Sequence, residues 1–161
     1  VSFTTPSSIV SIWFGLNVTS LHGLNGSGMM SMLSTAFMCL ALNVYHEARN
    51  DPEIGQYAVA HVVMNRVQHD RWPDDVCSVV KQGYHKGKHR CQFSWYCDGK
   101  SDKPYEHRAW ALEQLVAADV LSGEVPDMTG NATHYHATYV KPYWAKHLDK
   151  TGKYGSHIFY K

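Results

Sequence analysis

The stretch YHEARNDPEIGQYAVAHVVMNRV, residues 45–67, decides the fold because it holds the end of one helix and the start of another. Residues that precede a proline avoid the helical region, so the first helix must end before Pro52. A second helix begins at that proline, because apolar residues then recur at helical spacing. Its apolar stripe consists of Ile54, Ala58, Val59, Val62, Val63 and Val67. The stretch therefore predicts two helices joined by a short turn, with Glu47 in the last turn of the first.

The chain before this stretch is uncharged, since Glu47 is its first Asp, Glu, Lys or Arg. From Met30 onward, apolar residues again recur at helical spacing. Residues 29–46 reach the lower edge of the length of a membrane span. Their Ser, Thr and Asn side chains favour a buried core helix and predict no stable membrane insertion. Residues 1–28 end in NGSG and are predicted to be an N-terminal arm, a linker or an appended segment, whereas residues 29–161 form one domain.

A short third helix and a strand are predicted next. In WPDDVCSVV, residues 72–80, Asp74 or Asp75 can cap the free amides at the start of a helix. CQFSWY, residues 91–96, is predicted to be a strand because it is rich in aromatic residues, and an Asp-Gly turn follows it.

The C-terminal half predicts a fourth helix and a strand pair. The helix runs from about residue 105 to 121, and Gly123 ends it. ATHYHA, residues 132–137, and SHIFYK, residues 156–161, are predicted to pair as strands across a helical turn at KPYW, residues 141–144. The predicted fold class is therefore α+β, mostly helical, with a small antiparallel sheet.

Composition narrows the function classes. The chain has 161 residues, of which 44% are hydrophobic, so it can bury one sizeable core. Its net charge of +1 gives no strong electrostatic attraction to nucleic acid, and no nucleic-acid partner is predicted. Basic residues cluster at Lys81, Lys86, Lys88 and Arg90. We interpret this cluster as a solvated loop, with a polyanion contact as the alternative.

The four cysteines allow three pairings into two disulfides, and the sequence does not choose between them. Cys91 and Cys97 flank QFSWY, where a bridge would staple a hairpin in an exported protein. A zinc site including Cys77 is the alternative, but the C-x2-C spacing of structural zinc sites is missing.

Glu47 is a candidate general acid because of its position. The negative end of the helix dipole disfavours its charged form, and desolvation by apolar neighbours acts in the same direction. Both effects raise the pKa of the carboxyl, so that it holds a proton to donate to a leaving oxygen. The alternative is a structural role, in which Glu47 pairs with Arg49 or Arg66 or is solvated at the helix end.

Four motifs taken together resemble the spore cortex-lytic enzyme (SleB-type) family of cell-wall hydrolases. They are residues 45–67, CQFSW at 91–95, TGNATHYHATYVKPYWA at 129–145 and YGSHIFY at 154–160. The resemblance spans about residues 36 to 160. It implies that residues 29–161 are a lysozyme-like (goose-type or lytic transglycosylase-like) catalytic domain. It also implies that Glu47 is the catalytic acid and that the partner is the glycan strand of peptidoglycan.

Two positions depart from the family's pattern. Asn50 replaces the Gly that commonly follows Glu-Ala-Arg, and Asp51 stands where Glu is usual. Neither change touches the acid itself. They concern the local turn rather than the chemistry.

The resemblance also implies substrate-binding residues. It places Gln92, Phe93 and Ser94 beside the cleft, where Gln92 would bind an N-acetyl or hydroxyl group and Phe93 would stack under a sugar. The alternatives are a strand-edge amide for Gln92 and a core aromatic for Phe93. Thr133 and Tyr135 alternate with two histidines along a strand and are implied to lie near Glu47, where the phenol would orient the carboxyl or contact the sugar. We predict structural roles for the remaining motif residues Asn65, Arg66, His157 and Tyr160.

The predicted reaction is cleavage of the MurNAc–GlcNAc β-1,4 bond, by a lytic transglycosylase that forms a 1,6-anhydro product or by a muramidase. Glycosidases normally use two carboxylates, but no companion to Glu47 stands out. Asp51 and Glu53 begin the next helix, and Asp98 lies in a turn. One carboxyl suffices when the N-acetyl group of the substrate stabilises C1. Together with the resemblance, this favours the transglycosylase.

Two other function classes stay open. His134, His136 and His157 would hold zinc in a peptidoglycan amidase or peptidase, with Glu47 as the base that activates water. The chain lacks the H-E-x-x-H motif of such enzymes. A non-catalytic peptidoglycan-binding module is the third hypothesis.

For the favoured hypothesis we predict no cofactor and no metal. The protein is predicted to be a monomer that acts at the cell wall, in the periplasm or outside the cell. An exported bacterial protein and a phage endolysin are both compatible with the sequence.

Overall fold

Helices make up about half of the computed structural model, which describes residues 26–88 and 90–161. Its helices are α1 (Gly26–Ala48), α2 (Glu53–Val67), α3 (Val76–Val80) and α4 (His107–Ser122). Its strands are β1 (His134–Ala137), β2 (Lys150–Tyr154) and β3 (His157–Tyr160). The predicted α+β class, mostly helical with a small antiparallel sheet, is confirmed. Within the described residues, no helix is both long and apolar enough to cross a membrane.

Helix α1 begins at Gly26, slightly before the predicted boundary between an N-terminal segment and the domain. The arm or linker predicted for residues 1–28 lies, as far as residue 25, outside the described residues. The division of the chain at residues 28 and 29 therefore stays a prediction.

Pro52 separates α1 from α2 as predicted. The turn is closed by the Asp51 amide, which donates to the Ala48 carbonyl at 2.8 Å. The Gln56 side chain donates to the Asp51 carbonyl at 3.1 Å. Pro52 itself is the N-cap of α2. The short turn sets Glu47 at the carboxyl end of α1, close to the start of α2.

The core lies where α1, α2 and α4 pack together. Fully buried side chains at this junction include Leu40, Val44, Val59, Val62 and Val63. Every second-helix valine among these belongs to the stripe that the sequence predicts. Burial of such apolar surface is the main source of stability for a domain of this size.

Two contacts fix helix α3 near its start. Asp75 caps it, because its carboxylate accepts a hydrogen bond from the Ser78 amide at 2.9 Å. A disulfide between Cys39 and Cys77 joins the helix to α1. The second disulfide joins Cys91 to Cys97. The structure thus selects one of the three possible pairings and excludes a zinc site at Cys77.

The sheet has the strand order β1-β3-β2, with β3 antiparallel to both neighbours. The predicted pairing of the first and last strands is confirmed, with Tyr135 opposite Phe159. Strand β2 was not predicted, because it contains two exposed lysines and Gly152 in place of alternating apolar residues. Its register is also irregular between Lys150 and Gly152.

The strand predicted for residues 91–96 is wrong. Ser94–Cys97 is a turn of 3-10 helix instead. The Cys91–Cys97 disulfide closes the chain into a loop too short for a strand, and the Gln92 amide donates to the Gln82 carbonyl at 2.8 Å. Aromatic content alone misassigned this segment, because its rings pack on α1 and on the preceding loop rather than in a sheet.

Glu113 is an unexpected charge in the core. It lies on the buried face of α4, is fully buried, and among the described residues neither carboxylate oxygen has a hydrogen-bond partner. Burial raises the pKa of Glu113 to about 7, against the opposing pull of Arg49. A carboxyl with a raised pKa folds best when it is protonated. The free-energy cost of burying the charged carboxylate is absent below pH 4.5, its ordinary pKa, and is complete above about pH 7.

We therefore expect Glu113→Gln to stabilise the protein increasingly as the pH rises. The gain should be small at pH 4.5 and reach about 3 kcal/mol at pH 8, which is the free energy of a shift of this size. Urea unfolding of both proteins at the two pH values measures it. Glu124→Gln, on an exposed side chain, is the control and should show no such trend. An equal gain at both pH values would contradict the prediction.

Candidate active site

Glu47 lies in the last turn of α1, and Tyr135 of β1 reaches it across the molecule. The Tyr135 hydroxyl donates a hydrogen bond to Glu47 Oε2 at 2.9 Å. Burial raises the pKa of the Glu47 carboxyl, while the Tyr135 hydrogen bond and the electrostatic effects of His157 and Arg66 act in the opposite direction. Burial is the largest of these effects, so the proton is held more tightly than on an ordinary glutamate.

Arg66 is the buried cation of this site. Only 3% exposed, it donates from Nε to the Thr133 carbonyl at 2.7 Å. Its guanidinium lies 5.2 Å from the ring centroid of Phe93 and 5.5 Å from that of Trp72. Burial lowers the pKa of Arg66 to about 10, with Tyr135 and Glu47 opposing the shift. The side chain therefore stays charged at neutral pH.

Asp51 and His157 form a pair beside the carboxyl. Asp51 Oδ2 lies 2.9 Å from His157 Nδ1, and Ser156 Oγ donates to Asp51 Oδ1 at 2.6 Å. The Tyr135 and His157 ring centroids are 5.1 Å apart. A carboxylate on Nδ1 fixes the proton there and orients the ring. Gly155 lets the turn approach, because its φ is +56° and an added Cβ would lie 2.6 Å from Asp51 Oδ2.

The other residues predicted from the resemblance lie at different depths. Phe93 is 3% exposed beneath Arg66, so the core-aromatic alternative describes its position. Gln92 and Ser94 on either side of it are exposed. Thr133 is partly buried, and its hydroxyl lies 3.0 Å from His134 Nδ1. The structure brings Thr133 and Tyr135 to the Glu47 site and leaves Gln92 and Ser94 at its margin.

Arg49 is not the partner of Glu47, contrary to one structural alternative. Its Nε donates to Glu106 Oε1 at 2.9 Å, and Nη2 donates to the Tyr105 hydroxyl at 3.1 Å. The chain turns Arg49 toward the start of α4 and away from the site. Arg66, the other residue considered as a partner, acts on Glu47 through its charge and makes no ion pair with it within 4 Å.

The His46–Trp95 stack is a feature that the sequence did not reveal. The two rings are 4.4 Å apart and nearly parallel, and Trp95 Nε1 donates to Asn43 Oδ1 at 3.1 Å. His46 Nε2 also lies 3.0 Å from the Asp102 carbonyl. These contacts fasten the 3-10 helix at Ser94–Cys97 to the end of α1. One of them is made by His46, the residue directly before Glu47.

The proposed zinc ligands do not meet, so that alternative is wrong. His157 pairs with Ala137 in the sheet and shares the face of Tyr135. His134 and His136 lie on the opposite face, where both rings contact Trp144. Among the residues that the structure describes, no three His, Cys, Asp or Glu side chains are arranged to hold a metal.

Comparison with solved structures gives the same fold. The structure superimposes on the catalytic domain of the Bacillus cereus SleB protein with a TM-score of 0.64 and 29% identity, over 80% of this chain and 91% of that one. The catalytic domain of the germination-specific lytic transglycosylase SleB from Bacillus anthracis gives a TM-score of 0.62 at 29% identity, over 78% and 93% of the two chains. The lysozyme-like fold class implied by the resemblance is confirmed.

Sequence comparison agrees. The spore cortex-lytic enzyme of Halalkalibacterium halodurans is 30% identical over 121 residues, which are 74% of this chain and 33% of that protein. The enzyme of the same name from Bacillus cereus is 30% identical over 76% of this chain and 42% of its own length. The chain thus spans well under half of each of these relatives. The family described as Cell Wall Hydrolase matches residues 50–160. Sequence and structure together show that this chain belongs to the cell wall hydrolase family of the SleB type.

Proposed function

We propose that this protein degrades peptidoglycan by cleaving the MurNAc–GlcNAc β-1,4 bond as a lytic transglycosylase, with Glu47 as general acid and then general base. The observation that carries the proposal is the partly buried Glu47 carboxyl, which accepts a hydrogen bond from the Tyr135 hydroxyl and has a raised pKa. Family membership supports the substrate class. Similarity to the Bacillus anthracis protein, which is a germination-specific lytic transglycosylase, supports the reaction type.

In the first step, Glu47 gives its proton to the bridging oxygen while the acetamido oxygen of MurNAc attacks C1. The C1–O4 bond breaks and GlcNAc leaves as an alcohol. Because Tyr135 donates to Oε2, the acidic proton of Glu47 resides on Oε1, which is free to meet the substrate. The raised pKa favours the protonated carboxyl that proton donation requires.

In the second step, the C6 hydroxyl of MurNAc attacks C1 and passes its proton to the Glu47 carboxylate. The oxazoline ring opens and the 1,6-anhydro sugar is released. The electrostatic effects of His157 and Arg66 favour the carboxylate between the two steps. Asp51 is not a second catalytic carboxylate, because Ser156 and His157 occupy its oxygens.

The site margin supplies the substrate contacts in this proposal. The exposed Gln92 and Ser94 bind acetamido or hydroxyl groups of a sugar next to the cleavage point. Thr133 positions Arg66 through its carbonyl, and Phe93 supports the guanidinium from below rather than stacking on a sugar. The two disulfides fit a protein that acts at the cell wall, outside the reducing cytoplasm. We propose that it acts there as a monomer.

The test is mass spectrometry of soluble fragments released from purified peptidoglycan, with and without EDTA. Muropeptides ending in anhydro-muramic acid, in equal amounts with EDTA, are the expected products. Reducing-end muropeptides one water heavier would instead indicate a muramidase. Release of free peptides without glycan cleavage would overturn the proposal.

Tyr135→Phe is expected to lower kcat/KM on peptidoglycan about 10- to 100-fold, the effect of one hydrogen bond to an ionisable group. The alkaline limb of the pH profile should also move to higher pH, because the lost hydrogen bond normally lowers the pKa of Glu47. Tyr139→Phe, at a tyrosine that is 87% exposed, is the matched control. A loss of activity with an unmoved alkaline limb would show that Tyr135 acts on the fold alone.

A further inference from the structure

A groove of about 340 Å³ opens beside the Cys91–Cys97 disulfide. Its walls include two tyrosines and two lysines, Tyr84, Tyr96, Lys88 and Lys100, and we call it the tyrosine–lysine groove. The mechanism above uses none of these residues. Two of them, Tyr84 and Lys88, lie within the basic segment at residues 81–90. For this segment the sequence allows two interpretations, a solvated loop or a polyanion contact.

The groove has fixed walls. The two tyrosine rings are 5.4 Å apart, and Tyr96 belongs to the 3-10 helix that the disulfide anchors. Lys88 packs along Gly99, where an added Cβ would lie 3.3 Å from its Cε. Gly87 leaves open space at the mouth, since nothing lies within 4 Å of the position of its missing Cβ. Tyr84 is 55% exposed, so an aromatic face remains available to a ligand.

The groove is positively charged. Residues 81–90 contain four Lys or Arg and no Asp or Glu. Lys81 adds a third ammonium, 5.8 Å from the Tyr96 ring centroid. Among the described residues, the carboxylate found near these lysines is Asp98, which lies 3.9 Å from Lys100. The Lys100 side chain is 84% exposed, so that pair is weak and open to exchange.

The chemistry of peptidoglycan leaves one anionic ligand for such a groove. The N-acetyl sugars are neutral, and in an intact strand the lactyl carboxyl of MurNAc is consumed in its amide bond to the peptide. The free carboxylates belong to the peptide stem. We propose that the tyrosine–lysine groove binds a carboxylate of the peptide stem, with the stem lying on the tyrosine faces and Lys88 and Lys100 holding its charge. This inference rests on the proposed function.

The groove is within reach of a stem on a strand bound at Glu47. Phe93, which lies under Arg66 in the site, precedes the 3-10 helix that carries Tyr96. Three residues of such a helix advance about 6 Å. A stem of four residues spans about 14 Å when extended. An extended stem is therefore longer than the advance of the chain from Phe93 to Tyr96.

The test compares two substrates that differ in charge alone. One is native peptidoglycan, and the other is the same material with its stem carboxylates converted to amides by carbodiimide and ammonia. We expect the parent protein to cleave the native substrate with a kcat/KM about tenfold higher, the size of two exposed ion pairs. Lys88→Gln/Lys100→Gln should reduce this ratio to about one. Lys141→Gln/Lys153→Gln, at two exposed lysines in the sheet region, should keep it.

A second measurement separates the groove from the catalytic proposal. Calorimetric titration with an isolated stem tetrapeptide should give equal binding to the parent and to the control variant, and binding about tenfold weaker to Lys88→Gln/Lys100→Gln. A parent that binds the tetrapeptide but cleaves neither substrate would refute the proposed function and leave the groove standing. Equal tetrapeptide binding by all three proteins, or an unchanged cleavage ratio in the groove variant, would overturn the inference.

Discussion

Glu47→Gln is expected to lower kcat/KM on peptidoglycan by about 1,000-fold or more while the fold persists. A general acid contributes a factor of roughly 10² to 10⁴, and in this proposal the same carboxyl also takes back a proton in the second step. The amide accepts the Tyr135 hydrogen bond as the acid does, so the site keeps its shape. The measurement is release of soluble muropeptides, followed at several enzyme concentrations.

The matched control for this variant is Glu53→Gln, which makes the same change at an exposed glutamate just beyond the turn. It should retain the parent activity. Thermal unfolding of all three proteins checks the fold, and Glu47→Gln should unfold at or slightly above the parent temperature, because a partly buried ionisable group is removed. Activity within tenfold of the parent would refute Glu47 as the acid.

Removing the Cys39–Cys77 disulfide is expected to lower the free energy of unfolding by about 4 kcal/mol, against about 2 kcal/mol for Cys91–Cys97. The difference follows from loop entropy, because the two bridges close segments with sequence separations of 38 and 6 residues. The Cys39–Cys77 bridge also ties α3 to α1, so removal of this bridge loosens α3 from the core. Urea unfolding of the double Cys→Ser variants measures both values.

The two disulfide variants control for each other, since each makes the same pair of changes. Equal losses, or a larger loss for Cys91–Cys97, would contradict the loop-entropy argument. Glycan cleavage provides a second distinction. The Cys91–Cys97 variant should lose relatively more activity than stability, because that bridge anchors the 3-10 helix beside the site.

The sequence predicted the parts of the fold that repeat locally. The valine stripe of α2, the Pro52 break and an aspartate cap on α3 all follow from periodicity and capping rules, and the structure contains each of them, with Asp75 rather than Asp74 as the cap. The position of Glu47 in the last turn of α1 follows from the same break. These features depend on neighbours a few residues apart, which is the information that a single sequence carries.

What the sequence could not predict depends on contacts between distant residues. From the sequence, Asp51 is a residue at the start of a helix. In the structure it contacts His157, which lies in the last strand of the sheet. Arg66 and His157, considered structural, surround Glu47 and shift the pKa of its carboxyl. No local pattern marks such residues. The resemblance pointed to Tyr135, and the phenol lies within hydrogen-bond distance of Glu47.

The strand order of the sheet has a consequence for the timing of synthesis. β3 is the middle strand of the sheet, although it follows β1 and β2 in the sequence, and it alone hydrogen-bonds to both neighbours. Until the ribosome has released β3, β1 has no paired strand to hold Tyr135 in place, and Asp51 lacks its contact with His157. The helices can collapse on each other earlier. A nascent chain therefore carries Glu47 and Arg66 without Tyr135 and His157 held beside them, and the candidate site is complete only with β3.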